Sequence, residues 1–189
     1  MVIGRFEPKE AEATSLAELL AIGLDEALTA VEEAIHDLAD EQAWSRPSPD
    51  RHCIATLVMH MQHNIDLHAC QLQTGALALE HDDRFDIWRY REPALAARQD
   101  DLPSVRHLLE RLQTIRAAAM GGLRGATEDD LLGPRAADDR EWWTKYRRTS
   151  ASAYARVIYH TMAHVRQIWL LRGMMGLTDT DGWPQQHYH

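Results

Sequence analysis

The chain is poor in the features that would make it basic, membrane-bound or cross-linked. Among 189 residues, 20 are Lys or Arg against 29 Asp or Glu, a formal net charge of −9. Binding nucleic acid takes a concentrated basic surface, and so does lying on an anionic membrane, so no nucleic-acid or membrane partner is expected. No uninterrupted apolar run approaches the ~18 residues of a membrane span. The opening Met1-Val2-Ile3-Gly4-Arg5-Phe6-Glu7 lacks the apolar core of a signal peptide. Cysteine occurs twice, at Cys53 and Cys70, inside one helical pattern. Their spacing along a helix is ~25 Å, beyond the reach of a disulfide. A reducing, cytoplasmic location is therefore expected. No segment alternates like a strand, and internal repeats and low-complexity tracts are lacking. What remains is 45% apolar content in a length suited to a single domain over residues 1–189.

The apolar residues recur at helical spacing in four places. The first pattern runs from about Ser15 to Leu38, with Leu20, Leu24, Leu28, Val31, Ile35 and Leu38 on one stripe. A linker from Trp44 to Asp50 follows, broken by Pro47 and Pro49. The second spans about His52 to Thr74 and ends at Gly75. Its stripe of Ile54, Val58, Met61, Ile65 and Leu72 is widened by a flank of Cys53, Leu57, His60, Asn64 and Leu67. A wide face fits a helix with two neighbours. The third runs from Pro103, suited to a first helical position, to Met120, with Gly121-Gly122 as its stop. The fourth runs from about Thr149 to Arg172 and stops at Gly173. Long connections, about Glu80–Arg91 and Leu123–Arg148, precede helices three and four. These features predict an all-α four-helix bundle, an architecture that builds metal sites from side chains on facing helices.

The fourth helix carries the informative residues. His160 and His164 lie four apart, so one turn apart on one face. With Val157 as zero, Ala153, His160, Thr161, His164, Ile168 and Leu171 fall within roughly 60° of it. Both histidines are thus expected within the apolar stripe. A buried imidazole without a partner costs roughly 1–3 kcal/mol, and a shared metal ion serves two at once. The alternative is a pair of core histidines, each hydrogen-bonded separately.

A zinc-like catalytic site takes three protein ligands and keeps one position open. On the second helix, His60 lies on the apolar flank and is the better third ligand. His63 points away and reads as a surface residue. His68 lies near the stripe, as a fourth ligand or an ordinary core histidine. Other metal chemistries fit less well. A helical metalloprotease motif needs Glu after its first His, where this chain has Thr161. The paired Glu-x-x-His of di-iron bundles is missing, as is Cys-x-x-Cys-His for covalent haem. Bis-His haem binding needs one His per facing helix, not an i, i+4 pair.

The segments Ile54-Ala55-Thr56-Leu57-Val58-Met59-His60 and His160-Thr161-Met162-Ala163-His164-Val165-Arg166-Gln167-Ile168 resemble motifs of the DinB/YfiT-like metalloenzyme family. The first is similar to the family's second-helix segment ending in a ligand His. The second is similar to its last-helix His-x-x-x-His-x-x-Gln-Ile pattern, and the Trp44–Pro49 linker also matches. Where the family often has Arg-Gly before the Gln, this chain has Val165-Arg166. The resemblance implies a four-helix bundle with a three-His divalent metal site of His60, His160 and His164, often nickel or zinc. It implies a small-molecule substrate: some members transfer low-molecular-weight thiols such as mycothiol, bacillithiol or glutathione, and others are hydrolases or stress-induced proteins.

Three further expectations concern the surroundings. Gln167, one turn past His164, either orients a bound water or substrate behind the ligands or is a polar residue at the edge of the stripe. The connections around Arg84–Arg91 and Trp142–Tyr146 are expected to border the metal cleft. Arg84, Arg89, Arg91 and Lys145 either meet an acidic group of a substrate or are simply solvated. Ile158, Met162, Val165 and Trp169 form a second apolar strip on the fourth helix. It either packs on an adjacent helix or forms a homodimer interface.

Overall fold

The structure is a computed structural model that describes residues 13–48, 51–71, 75–79, 102–133 and 149–177. It is all-helical, with no strand among the described residues. Helix α1 is Leu16–Ile35, α2 is Asp40–Trp44, and α3 is Ile54–Ile65, continued by a π-helix over Asp66–Gln71. Helix α4 is Val105–Arg124, α5 is Glu128–Leu132 and α6 is Ser150–Met174.

The four long helices form the expected bundle, but two of the three consecutive pairs, α1 with α3 and α4 with α6, do not sit side by side. Helix α1 packs on α4 and α6, and α3 packs on the same two. Thus α1 and α3 are diagonal, as are α4 and α6. Side-chain bridges give the directions. Gln62 Nε2 donates to Leu108 O at 2.6 Å, and Cys70 lies near Ile115 O, so α3 and α4 run parallel. Arg116 reaches Asp25 and Glu32, while Asp40 takes the Val105 amide, so α1 and α4 are antiparallel. A diagonal step needs a longer path than a hairpin turn, and α2 with the proline linker supplies it between α1 and α3.

The ends follow local chemistry, with several departures from the sequence reading. Ser15, Ser104 and Thr149 cap α1, α4 and α6 by accepting the amide proton of the third helical residue. Ser104 is therefore the cap of α4, and Pro103 precedes it; the Pro103 carbonyl accepts the Trp44 indole N–H at 2.9 Å. Gly121-Gly122 does not stop α4, which continues to Arg124 and ends at Gly125. Leu123 is the next stripe residue and is buried. Its burial, worth about 2 kcal/mol, offsets the cost of the glycines at about 1 kcal/mol each. Helix α6 likewise runs through Gly173. It ends where Gly176 takes φ +67°, with the Leu177 amide on Arg172 O and the Gly176 amide on Gly173 O. These two bonds satisfy carbonyls of the last turn, and the left-handed conformation suits glycine.

The second expected helix is regular only to Ile65. The π-helical turns that follow hold Asp66, whose carboxylate accepts the amides of Ala78 and Leu79 at 2.7 and 3.1 Å. Ala69 O, in the same turns, takes the buried Tyr154 hydroxyl at 3.2 Å. Two short helices, α2 and α5, occupy stretches that the sequence reading left as connections. The connections around Arg84–Arg91 and Trp142–Tyr146 lie outside the described residues.

The second apolar strip of α6 is divided. Val165 is buried, and Ile158 lies against Gly23 of α1, where a Cβ would stand 3.3 Å from its Cδ1. Met162 is 37% exposed. Much of the strip therefore packs on the neighbouring helix.

Candidate metal centre

Three histidines meet across the seam between α3 and α6. His60 Nε2 lies 3.1 Å from His160 Nε2, and His164 Nε2 lies 3.2 Å from the same atom. The rings are edge-to-face, with centroids 4.5–4.9 Å apart. The His160 nitrogen faces two imidazole nitrogens at hydrogen-bond distance. In a neutral ring it offers either one proton or one lone pair, so it cannot answer both neighbours equally. One cation among the three nitrogens answers all of them. At N–metal distances of about 2.1 Å, ligand nitrogens stand about 3.0 Å apart in octahedral and about 3.4 Å apart in tetrahedral coordination. The observed spacings fall between these values, so the donor set fits a divalent ion.

Local structure explains the convergence. His160 and His164 come together because the i, i+4 spacing stacks them on one face of α6. Their burial differs from expectation. Ala153, Val157, Thr161, Ile168 and Leu171 form the buried stripe, and the two histidines are half-buried at its edge. This follows from the bundle geometry: the stripe's centre meets the core, and its edge meets the seam with α3. His60 is half-buried on its apolar flank, as its position predicts. His63 is half-buried instead of exposed, and stays outside the cluster. His68 is fully buried away from it, as a core histidine.

Burial favours the neutral form of His60 and His164, which is the ligand form of histidine. Burial, then the positive fields of His164, His63 and His52, lower the His60 pKa to about 4. Burial also lowers that of His164, with His52 and Arg156 adding to the effect and Gln167 opposing it. Gln167 lies beside His164 on α6. Its Oε1 lies 2.7 Å from His164 Nδ1. An amide oxygen only accepts, so Nδ1 carries the proton and the Nε2 lone pair is directed at the cluster. The general position of Gln167 was legible in the sequence; its partner was not.

The chain's own thiols take no part. Cys53 and Cys70 are buried and unpaired with each other. Burial raises the pKa of Cys53 and, with the Asp66 carboxylate, pushes that of Cys70 up to about 12. A thiolate at this centre would have to come from outside the chain.

The DinB superfamily pattern matches residues 23–168, a span that includes His60, His160 and His164. The chain belongs to the DinB superfamily. Two solved structures share its fold. A conserved protein from Enterococcus faecalis is 21% identical, with TM-score 0.61 over 86% of this chain and 98% of its own. YfiT from Bacillus subtilis is 18% identical, also with TM-score 0.61, over 92% of this chain and 95% of its own. YfiT is described as a probable metal-dependent hydrolase with an unusual four-helix bundle topology. No curated protein matches the chain.

The helices of this DinB-superfamily chain give no membrane candidate. Among the described residues, no helix is long and apolar enough to cross a bilayer.

Proposed function

We propose that the chain is a metal-dependent enzyme whose divalent ion is held by His60, His160 and His164. The observation that carries this reading is the convergence of three imidazole nitrogens, 3.1 and 3.2 Å apart, from two helices. The likeness to YfiT, described as a probable metal-dependent hydrolase, supports it. Imidazole ligands suit nickel and zinc, and three protein ligands leave a coordination position for a reactant. When bound, such an ion acidifies a water or thiol that reaches it and polarises a carbonyl. The chain's own part is to hold His60 and His164 neutral and, through Gln167, to fix the tautomer of His164. The reaction is hydrolysis of a small molecule or transfer of a low-molecular-weight thiol, supplied from outside because both cysteines are buried. The decisive experiment is metal analysis of the purified protein with X-ray absorption. Three histidine nitrogens at about 2.0–2.2 Å and an exchangeable fourth position are expected. Four protein ligands would instead make it a non-catalytic metal-binding protein.

A homodimer is a separate proposal. Its best surface is the outer face of α6, where Tyr159, Leu170 and Met174 are exposed. Sedimentation of wild type and Leu170→Glu tests it: a dimer that dissociates in the variant is expected, and a wild-type monomer at tens of micromolar removes it.

A further inference from the structure

Helices α1 and α6 pack side by side and carry opposite charge. Helix α1 holds Glu18, Asp25, Glu26, Glu32 and Glu33 and no basic residue; α6 holds Arg156, Arg166 and Arg172 and no acidic residue. Several of these charges are answered within the fold. Asp25 and Glu32 pair with Arg116, Glu18 accepts from Thr14, and Arg172 pairs with Asp37. Glu26, Glu33 and Arg166 are exposed, and their side chains make no ion pair or hydrogen bond among the described residues.

The two helices run parallel. Gly23 faces Ile158, where a Cβ would stand 3.3 Å from Ile158 Cδ1, and Asp37 at the end of α1 meets Arg172. Both contacts join residues 135 apart in the sequence, so Arg166 stands level with about residue 31, between Glu26 and Glu33. At about 100° per residue, Leu19, Glu26 and Glu33 fall within roughly 40° of one another on the outer side of α1. On the outer side of α6, Tyr159, Met162, Arg166 and Leu170 fall within roughly 80°. Leu19 is 58% exposed, Tyr159 72% and Leu170 62%. The two outer sides form one layer, apolar throughout, with an acidic half on α1 and a cationic residue on α6. The layer is about 30 Å long and about 20 Å wide, on the order of the ~800 Å² that each partner brings to a stable interface.

We infer that this layer is where two copies of the chain meet, α6 of each packing on α1 of the other, with Arg166 paired to the partner's Glu26 and Glu33. This rests on the homodimer proposed above and names its arrangement. Two such layers stack face to face about a two-fold axis lying between them. With the axis parallel to the helices, every residue keeps its level and the helices exchange sides, so α6 meets α1. Arg166 then faces the opposite charges at its own level, and Tyr159 comes to the level of Ile22. With the axis perpendicular to the helices, α6 meets α6 and α1 meets α1. Centred at the same level, that arrangement sets Arg166 on the partner's Arg166 and Glu26 on the partner's Glu33. Like charges repel across an interface and opposite charges fix its register, so charge selects the first arrangement.

The test is sedimentation velocity of the full chain over a concentration series, for wild type and charge-reversed variants. Arg166→Glu should weaken the dimer at least tenfold, and so should Glu26→Arg combined with Glu33→Arg. The three reversals in one chain recreate the attraction with opposite sign and should return the dissociation constant to within about threefold of wild type. A contact of α6 on α6 would be indifferent to Arg166→Glu, since one like-charge pair replaces another; that result overturns the pairing. So does a triple variant no tighter than the other two. Wild type that is monomeric at tens of micromolar overturns the homodimer and the pairing together, whereas a wild-type dimer untouched by every reversal overturns the pairing alone. All three positions are exposed, so circular dichroism should match wild type. Rescue in the triple variant separates lost pairing from misfolding.

Discussion

Helix α6 carries two polar clusters that are completed in opposite ways. Near its C-terminal end, Arg172 is buried. It donates to Ala34 O at 3.0 Å, to both Asp37 carboxylate oxygens at 2.8 Å, and to Leu177 O at 3.2 Å. The Trp169 ring lies 5.0 Å from its guanidinium carbon. The cation, its counter-charge and its acceptors all belong to the fold, and the guanidinium holds the Asp37 carboxyl below the usual range. Two to three turns earlier, His160 and His164 meet His60, and no carboxylate is among the causes that lower the pKa of His60 and His164. The first cluster is closed by the chain itself. The second gathers nitrogen acceptors around one point and supplies no cation, which is what a binding centre requires.

The comparison can be broken at four places. The largest effect is expected from His160→Ala, which removes the nitrogen common to both short contacts. Metal affinity should fall by at least a hundredfold, about 2.7 kcal/mol, while metal-free stability changes little. His63→Ala should leave metal content unchanged; full metal retention in His160→Ala would falsify the site. The Arg172 clamp should respond in the reverse manner. Asp37→Ala leaves a buried guanidinium without its counter-charge and should cost about 2 kcal/mol in denaturant unfolding, reduced by the partial exposure of Asp37. Its metal affinity should match wild type. If instead the two clusters lose affinity and stability together, they form one unit.

Gln167→Leu should weaken metal binding by about tenfold, since the tautomer of His164 is then no longer fixed. A calorimetric affinity equal to wild type would reduce Gln167 to a surface residue. The fourth effect concerns pH. The folded-state pKa of His60 is about 4, below its ordinary 6.5, so the folded protein binds fewer protons than the unfolded chain between these values. Its contribution to metal-free stability is present above about pH 6.5 and is lost as pH falls through about 4. His164 acts in the same direction. Urea midpoints of the metal-free protein should therefore fall over this window, with a shallower slope in His60→Gln. An identical slope in the variant would show that His60 is as easily protonated folded as unfolded.

The candidate site was more legible than the path of the chain. An i, i+4 pair on a helix is brought together by helical geometry alone, so His160 and His164 could be paired before any tertiary contact was known. His60 was separable from His63 because the two point to different sides of α3. The π-helical turns at Asp66–Gln71 were not legible, because the amide partners at Ala78 and Leu79 and the hydroxyl partner at Tyr154 come from other parts of the chain. The continuation of α4 past Gly121-Gly122 was missed for a related reason. Local propensity marks a stop there, and the burial of Leu123 outweighs it.

By itself, the sequence determined the helical class, the four apolar stripes and the histidines able to share a metal, since periodicity and spacing act within a few turns. Only the tertiary structure decided which helices are neighbours. Nothing in the periodicity of α1 and α3 makes them diagonal; that depends on how all four faces pack at once. Tertiary packing also set the histidines at the edge of the stripe rather than its centre and brought His60 of α3 against His160 of α6. Those placements need two helices in a defined register, and register arises from contacts between residues far apart in the chain.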